Sequence, residues 1–286
     1  MIVKKSREHS LQASRWWQVS EFFASLPYWL LIIALVGLFL LWHAATDENY
    51  RVIFSAVAKG IGTTLYVSLI AYLFSAALGL IIGLMRMSLL RPLREAATLY
   101  TEIIRGVPML VILYYIAFVG APSLVRAINW LAQPLIAMEW FAPINVRALD
   151  FVWRAILALT VGYSAFISEI FRAGIESVAK GQMEAARALG MTRWQAMLHV
   201  VLPQAFRNVL PPLCNEFVAM IKDSALVSAL GVQDITQLGK VYSASTFKFF
   251  ETYNVVAYLY LIMTISLSLM VRGLEHQLDK RRVRRM

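Results

Sequence analysis

The chain has 286 residues, of which 59% are apolar and only 15% charged, with a mean hydropathy of +0.64. A water-soluble domain carries about 25% charged residues, so this composition excludes an ordinary soluble enzyme, and its wealth of apolar and aromatic side chains excludes a disordered chain. The net charge of +10 leaves a nucleic-acid partner open, while one cysteine, Cys214, excludes an internal disulfide and a cysteine-built metal cage.

A helix needs about 20 apolar residues to cross the hydrocarbon core of a bilayer. In chain order, the first stretch free of Asp, Glu, Lys and Arg is Phe22 to Thr46. Trp29 and Trp42 stand near its ends, where amphipathic rings sit at headgroup depth, and no small-residue cleavage site precedes Asp47, so it is expected to be a retained helix rather than a signal peptide. Further charge-free stretches run from Gly60 to Met85, Gly106 to Val125 and Thr252 to Val271. Two weaker ones are Ala155 to Ser168, extendable through Ile170 and Phe171, and the stretch after Arg207, interrupted by Glu216. These can cross only if neighbouring helices shield their polar positions. The expected fold is all-α and polytopic, with six transmembrane helices.

Orientation follows from charge. A cytoplasmic N-terminus gathers on one side Lys4, Lys5, Arg7 and Arg15, then Arg86, Arg91, Arg94 and Arg105, then Arg172, Lys180, Arg187, Arg193 and Arg207, and finally Arg272 with Lys280, Arg281, Arg282, Arg284 and Arg285. Both termini are therefore expected in the cytoplasm. Topology and anionic lipid account for the basic excess, and a nucleic-acid role drops out. On the outer side, Ala121 to Asp150, with Pro122, Pro134 and Pro143, is expected to hold a short amphipathic helix in the interface. Trp130 and Trp140, like Trp16 and Trp17, fit interfacial anchors. Asp223 to Glu251 is outward and partly apolar, a candidate to dip back toward a pore.

A chain that moves solute uphill needs an energy source, and none is encoded here. Gly239-Lys240 is followed by Val241, so there is no P-loop, and Gly60 with Gly62 lacks the third glycine of a dinucleotide site. Zinc-protease, nucleophile-elbow and paired-cysteine spacings are missing, and His9, His43, His199 and His276 are scattered. No catalytic residue and no metal site is expected, the chain is not expected to be an enzyme, and any motor is another polypeptide.

Gly181 to Pro203, GQMEAARALGMTRWQAMLHVVLP, predicts a helix over Gln182 to Leu189, a left-handed Gly190, and a capping box from Thr192 and Gln195 that restarts the helix. Ala185, Ala186 and Ala188 leave little side-chain bulk on the first helix, a shape suited to docking. Glu184-Ala185-Ala186, three residues, Gly190, nine residues, Val200, one residue and Leu202-Pro203 resembles the EAA loop of membrane subunits of bacterial binding-protein-dependent ABC importers. Val200 in place of the usual Ile is the one departure. Tyr100 to Pro108 (YTEIIRGVP), Glu169 to Ser177 (EIFRAGIES) with Lys180-Gly181-Gln182, and Ile221 to Val232 (IKDSALVSALGV) resemble permeases for polar amino acids, with Ala225 where relatives often have Ser.

The resemblance covers roughly Gly60 to Arg272 and implies a type I ABC importer permease fold preceded by an extra helix. It divides the chain into an N-terminal segment 1–59, a transmembrane domain 60–275 with a cytoplasmic coupling loop 173–203, and a basic tail 276–286. It implies that Glu184, Ala185, Ala186, Arg187, Leu189 and Gly190 dock on an ABC ATPase dimer, which holds ATP and Mg while this chain holds no cofactor. The other implied partners are a second permease subunit, identical or related, a periplasmic or surface amino-acid-binding protein, and membrane lipid. The implied location is the bacterial cytoplasmic (inner) membrane.

Two further constellations stand out. Glu102 with Arg105 and Glu169 with Arg172 repeat E-I-x-R, each pair on one helix face, as snorkelling flank charges or as a cytoplasmic gate. Asn215 and Glu216 lie inside the fifth expected span, with Lys222, Asp223 and Ser224 at its outer end. An intramembrane charge costs about 2.5–3.5 kcal/mol on insertion scales, so such groups face a watery cavity or a partner, which makes these five the substrate-path candidates. Lys222 and Asp223 fit solvated loop charges equally well, and Cys214 fits a packing residue. The alternative function, a stand-alone secondary transporter or channel for small polar solutes, predicts ionisable residues deep in several spans, which the four charge-free stretches lack.

Overall fold

A computed structural model describes the backbone of residues 28–283 and most of their side chains. Lys4, Lys5, Arg7, His9, Arg15, Trp16, Trp17, Phe22 to Pro27, Arg284 and Arg285 lie outside the described residues, as do the side chains of Trp29 and of 274–283. Among the described residues there is no strand.

The chain divides into two units, Met1–Phe54 and Ser55–Met286. The first holds α1 (Tyr28–Thr46), 19 residues without a charged carboxylate, lysine or arginine, and the start of α2 (Glu48–Ala58). The Thr46 hydroxyl closes α1 by donating to the Trp42 carbonyl at 2.8 Å, and Asp47 accepts from the Asn49 N–H at 2.8 Å to begin the next helix.

The second unit is built around α3 (Ile61–Arg86) and α8 (Phe151–Glu176), each of 26 residues. On α3 the buried positions Thr64, Ser68, Ala71, Ser75, Gly79 and Ile82 recur at three- and four-residue steps, so one narrow stripe of small residues faces inward. Ser68 and Ser75 return their hydroxyls to the carbonyls of Thr64 and Ala71 at 2.7 Å each, so neither hydroxyl is left unpaired. Where the helices meet, a Cβ on Gly79 would stand 2.7 Å from Ile167 Cγ2, and one on Gly83 would stand 2.9 Å from the Ser168 carbonyl oxygen. Helices in lipid gain their contact from such close backbone approach. α8 starts at Asp150, whose carboxylate accepts from the Trp153 N–H at 2.9 Å.

Among the described residues, four helical stretches are long and apolar enough to cross a membrane: Glu48–Arg86, Met109–Leu131, Phe151–Glu176 and Phe249–Gly273. They correct three expected boundaries. Val107 and Pro108 are extended, so the stretch expected from Gly106 begins at Met109. It consists of α5 (Met109–Tyr115), a π turn over Ile116–Gly120 and α6 (Ala121–Leu131), and absorbs the first part of the expected outer loop. The weak Ala155 to Ser168 candidate proves to be all of α8, because the charges that truncate it in sequence find partners in three dimensions. α4 (Arg91–Gly106), expected within a cytoplasmic basic stretch, leans on α8: Tyr100 donates to the Val161 carbonyl at 3.0 Å and pairs with the Ser164 hydroxyl at 2.8 Å.

The connection after α6 contains α7 (Gln133–Ala137) and is closed by the Asn129 amide, which bonds both N–H and carbonyl of Ile144 at 2.9 and 2.8 Å. A short loop carries α9 (Lys180–Ala188) and α10 (Arg193–Ala196) into α11 (Leu202–Asp223). α11 carries Arg207, Glu216, Lys222 and Asp223 and falls outside the four apolar stretches. A 3-10 helix, Ser224–Leu230, follows and ends at left-handed Gly231 (φ +78°).

Then come α12 (Ile235–Thr246) and α13 (Phe249–Val283). Asp234 caps α12 through the Gln237 N–H (2.7 Å) and accepts from the Tyr260 hydroxyl of α13 (3.1 Å) while fully buried. Burial pushes its carboxyl above the ordinary value, and the bonds from Gln237, Tyr260 and Thr236 offset part of that. The Ile235 N–H reaches Thr64 Oγ1 at 3.3 Å, and a Cβ on Gly60 would lie 2.4 Å from the Asp234 carbonyl carbon, so only glycine admits this crossing.

A bulky residue at Gly83 must push α3 off α8. Gly83→Leu is expected to destabilise the purified chain by about 1–3 kcal/mol through overpacking, whereas Gly62→Ala, with nothing within 4 Å of the new methyl, is expected to be neutral or mildly stabilising. Thermal unfolding in detergent measures both, and equal melting of the two variants would disprove the close approach.

Candidate functional site

The loop from Lys180 to Pro203 forms as its sequence dictates. α9 begins two residues before the expected Gln182 and ends at Ala188, with Leu189 as its cap. Gly190 adopts φ +85°; its N–H bonds the Arg187 carbonyl at 3.0 Å, and the Met191 N–H bonds the Ala186 carbonyl at 3.2 Å. This pair of bonds satisfies carbonyls that a helix end otherwise leaves open. The capping box is present: the Gln195 N–H donates to Thr192 Oγ1 (3.2 Å) and the Thr192 N–H donates to Gln195 Oε1 (2.9 Å). Glu184, Ala185, Arg187, Leu189 and Gly190 are exposed and Ala186 is buried, so the loop shows an outer face and keeps an inner one. On that outer side Leu189 is 83% and Trp194 72% exposed, a large apolar offering beside charges.

The loop is held firmly. Met183 packs with Ile175, Val201 and Ala205, and Asn208 donates to the Ser177 hydroxyl at 2.9 Å. Above it, a Cβ on Gly174 would overlap Val209 Cγ2 at 2.0 Å, so the backbone of α8 meets the Val209 side chain of α11 directly.

The charge pairs divide. Glu169 binds Arg86 through one carboxylate oxygen and Arg172 through the other, and Arg172 pairs with Glu176 at 2.6 Å. Arg86 was foreseen only as a topological charge; its side chain is 11% exposed and ties the last residue of α3 to α8. Glu102 and Arg105 do not form the matching pair. Arg105 instead places its guanidinium carbon 5.7 Å from the centroid of the Phe166 ring, because α4 leans against α8, which presents that aromatic to it.

A half-open cleft of about 220 Å³ lies between α5, α8 and α11, lined by Val107, Met109, Ile112, Tyr163, Phe166, Glu216, Ala219 and Asp223. Glu216 and Asp223 are seven residues apart, two helical turns, and so share a face of α11. The Tyr163 hydroxyl donates to Asp223 Oδ2 at 2.8 Å. The other three candidates stand apart from the cleft: Asn215 and Lys222 are exposed elsewhere, and buried Ser224 donates to the Ile221 carbonyl at 2.7 Å. Asp223 was expected at the outer end of a span. Its partner Tyr163 stands at the middle of α8, so α11 stops partway along α8 and the 3-10 helix continues from there, as the Ser224 hydroxyl competes for the helix carbonyl. Sequence reasoning passed over Tyr163 and Phe166. The signal for Tyr163 was its hydroxyl in an apolar helix, which must find an acceptor.

Against known proteins, residues 75–284 match the family model of the binding-protein-dependent transport system inner membrane component. The probable glutamine ABC transporter permease protein GlnM of Bacillus subtilis is 39% identical over 227 residues, 79% of this chain and 95% of that protein. The probable amino-acid permease protein YxeN of the same organism is 33% identical over 79% of this chain and 93% of its own length. A solved amino acid ABC transporter with histidines has a chain that superposes with a TM-score of 0.66 at 35% identity, covering 80% of this chain and 95% of that one.

The two turns of the loop carry measurable local stability. Gly190→Ala is expected to cost about 1–2 kcal/mol by holding a side chain at positive φ, and Thr192→Ala about 1 kcal/mol by removing the cap. Amide exchange at Met191 and Gln195 should quicken accordingly while 61–86 stays protected; unchanged exchange would show that neither turn governs the loop.

Proposed function

Because the chain belongs to the family of binding-protein-dependent transport system inner membrane components, we propose that it is the permease subunit of an ATP-driven importer of polar amino acids in the bacterial inner membrane. It crosses the membrane six times, with α1 and α11 added to the four apolar stretches and both termini in the cytoplasm. The observation that carries the proposal is the docking loop: a short, bulk-poor helix, stopped by left-handed Gly190 and restarted by a capping box, set at the end of the helix that lines the cleft.

The division of labour follows from what the residues can do. ATP and Mg belong to a partner ATPase dimer, and this chain hydrolyses nothing. A binding protein delivers substrate to the outer face, and this subunit works with a second permease subunit. ATP drives transport only by favouring one conformation over another, so the interface formed by Glu184, Ala185, Ala186, Arg187, Leu189 and Gly190 must differ between states. Glu216 and Asp223 offer the ammonium of an amino acid two carboxylates in an otherwise apolar cleft. The Glu169, Arg172 and Arg86 cluster forms the cytoplasmic latch of that path. The amino-acid substrate is supported by the names of the relatives, one a probable glutamine permease.

Glu184→Arg combined with Gly190→Pro, which cannot hold φ near +85°, is expected to abolish uptake and binding-protein-stimulated ATP hydrolysis while the chain still inserts. Uptake at the level of the unaltered chain would refute docking through this loop, and uptake by the purified chain without an ATPase would favour the stand-alone transporter.

A further inference from the structure

The membrane-crossing stretch Met109–Leu131 is broken near its middle, and the break traces to a proline. Pro122 has no N–H, and in a continuous α-helix its ring would meet the carbonyl of Phe118, four positions back. The chain widens ahead of it into the π turn Ile116–Gly120, closed by the Ala121 N–H on the Ile116 carbonyl. The next carbonyl in that register belongs to Ala117 and would need the N–H that Pro122 lacks. Ala117 is fully buried, so its carbonyl must find a partner elsewhere in the protein.

Arg154, in the first turn of α8, supplies that partner. Its Nη1 donates to the Ala117 carbonyl at 3.3 Å, its Nη2 to the Val146 carbonyl at 2.9 Å and its Nε to the Leu149 carbonyl at 2.8 Å. One guanidinium thus gathers the break, the end of the connection after α6 and the entry to α8. Its Cζ stands 5.0 Å from the centroid of the Phe151 ring, and Phe151 meets Phe118 of the π turn edge-on at 6.1 Å. With the Asn129 amide clamped on Ile144, these bonds make α6, its connection and the start of α8 one body. The arm on the other side of the break is held softly. Met109 and Ile112 of α5 line the cleft, and Met109 meets α8 with its flexible thioether end, 2.5 Å from where a Cβ on Gly162 would stand.

We propose that the π turn Ile116–Gly120 is a hinge on which α5 swings across the cleft, and that Arg154 is the positioning residue that holds the other arm, α6, against α8 while it does so. A π turn is a place where a helix changes register at little cost, and a charged donor holds a carbonyl more firmly than a neutral one. The inference rests on the reading of this chain as a transporter subunit that changes conformation. It assigns the moving wall of the cleft to α5 rather than to α8, which close backbone approach at Gly79 and Gly83 fixes to α3.

The test is amide hydrogen exchange on the intact permease and ATPase complex in lipid vesicles, nucleotide-free and trapped with ATP and vanadate. Binding-protein-dependent uptake of labelled glutamine, arginine, histidine and cystine is followed on the same vesicles. In the unaltered complex Gly120 and Ala121 should exchange at rates that differ between the two states, while 123–131 do not; equal rates at the turn overturn the hinge. Arg154→Gln should quicken exchange at Ala121 about tenfold or more and slow uptake, and Arg154→Lys, which keeps the charge without the fork, should recover part of both. Pro122→Ala supplies the missing N–H, so Arg154→Gln added to Pro122→Ala should quicken Ala121 far less than Arg154→Gln alone. Equal effects in the two backgrounds overturn the role of Arg154 without touching the hinge, and Arg154→Lys carries the same comparison if Arg154→Gln fails to insert. Pro122→Ala alone should lower maximal uptake while the chain melts no lower, and uptake at the unaltered rate overturns the part of the hinge in transport. An unaltered complex that takes up none of the four amino acids refutes the transporter reading, and the exchange comparison still decides Arg154.

Discussion

The contact between α3 and α8 organises everything else in the second unit. In lipid, burying an apolar side chain against another helix gains little, because hydrocarbon surrounds it either way; what holds helices together is close packing of backbone and the internal satisfaction of polar groups. Gly79 and Gly83, one turn apart, allow α3 to lie against Ser164, Ile167 and Ser168 of α8 at distances no side chain at those glycines would permit. Hydroxyls along the same stripe return to their own helix, so the seam carries small polar groups without leaving them unpaired. Once α3 fixes α8, the positions of Tyr163, Phe166 and Glu169 are fixed as well.

α8 thereby joins the cleft to the loop of α9 and α10. Tyr163 and Phe166 line the cleft, Glu169 and Arg172 hold the ion-pair cluster, and Gly174 and Ser177 touch α11 and lead into the loop that carries α9 and α10. The loop is anchored on its inner side by Met183 and Ala186 and offers charges, Leu189 and Trp194 outward. Rigid helices joined by packed contacts respond to force as bodies rather than as flexible chains, which suits a subunit whose work is supplied from outside.

The charged groups sort by whether the protein answers them. Arg86, Glu169, Arg172 and Glu176 answer one another, and Asp234 is answered by a hydroxyl and backbone N–H groups at the crossing of α12, α13 and α3. Glu216 and Asp223 line the cleft, where Tyr163 gives Asp223 one hydrogen bond. An ion pair completed within the fold is a structural device, whereas the cleft carboxylates have no ion-pair partner among the described residues.

Composition and local chemistry determined much of this in advance. Long apolar runs dictated membrane helices, and the short-range pattern from Glu184 to Pro203 dictated a helix, a left-handed glycine and a capping box, because each of those turns is closed by bonds between residues only a few positions apart. Other features depended on groups distant in the chain. Whether Ala155 to Ser168 was a full helix turned on Arg86 reaching Glu169, and whether Asp223 lay at a span's end turned on Tyr163; Glu102 and Glu169 share one local motif, yet only the second found an arginine. Sequence therefore settled the elements whose hydrogen bonds are local, and the tertiary structure alone decided which charges are paired and which face the cleft, since that depends on the helix packed opposite.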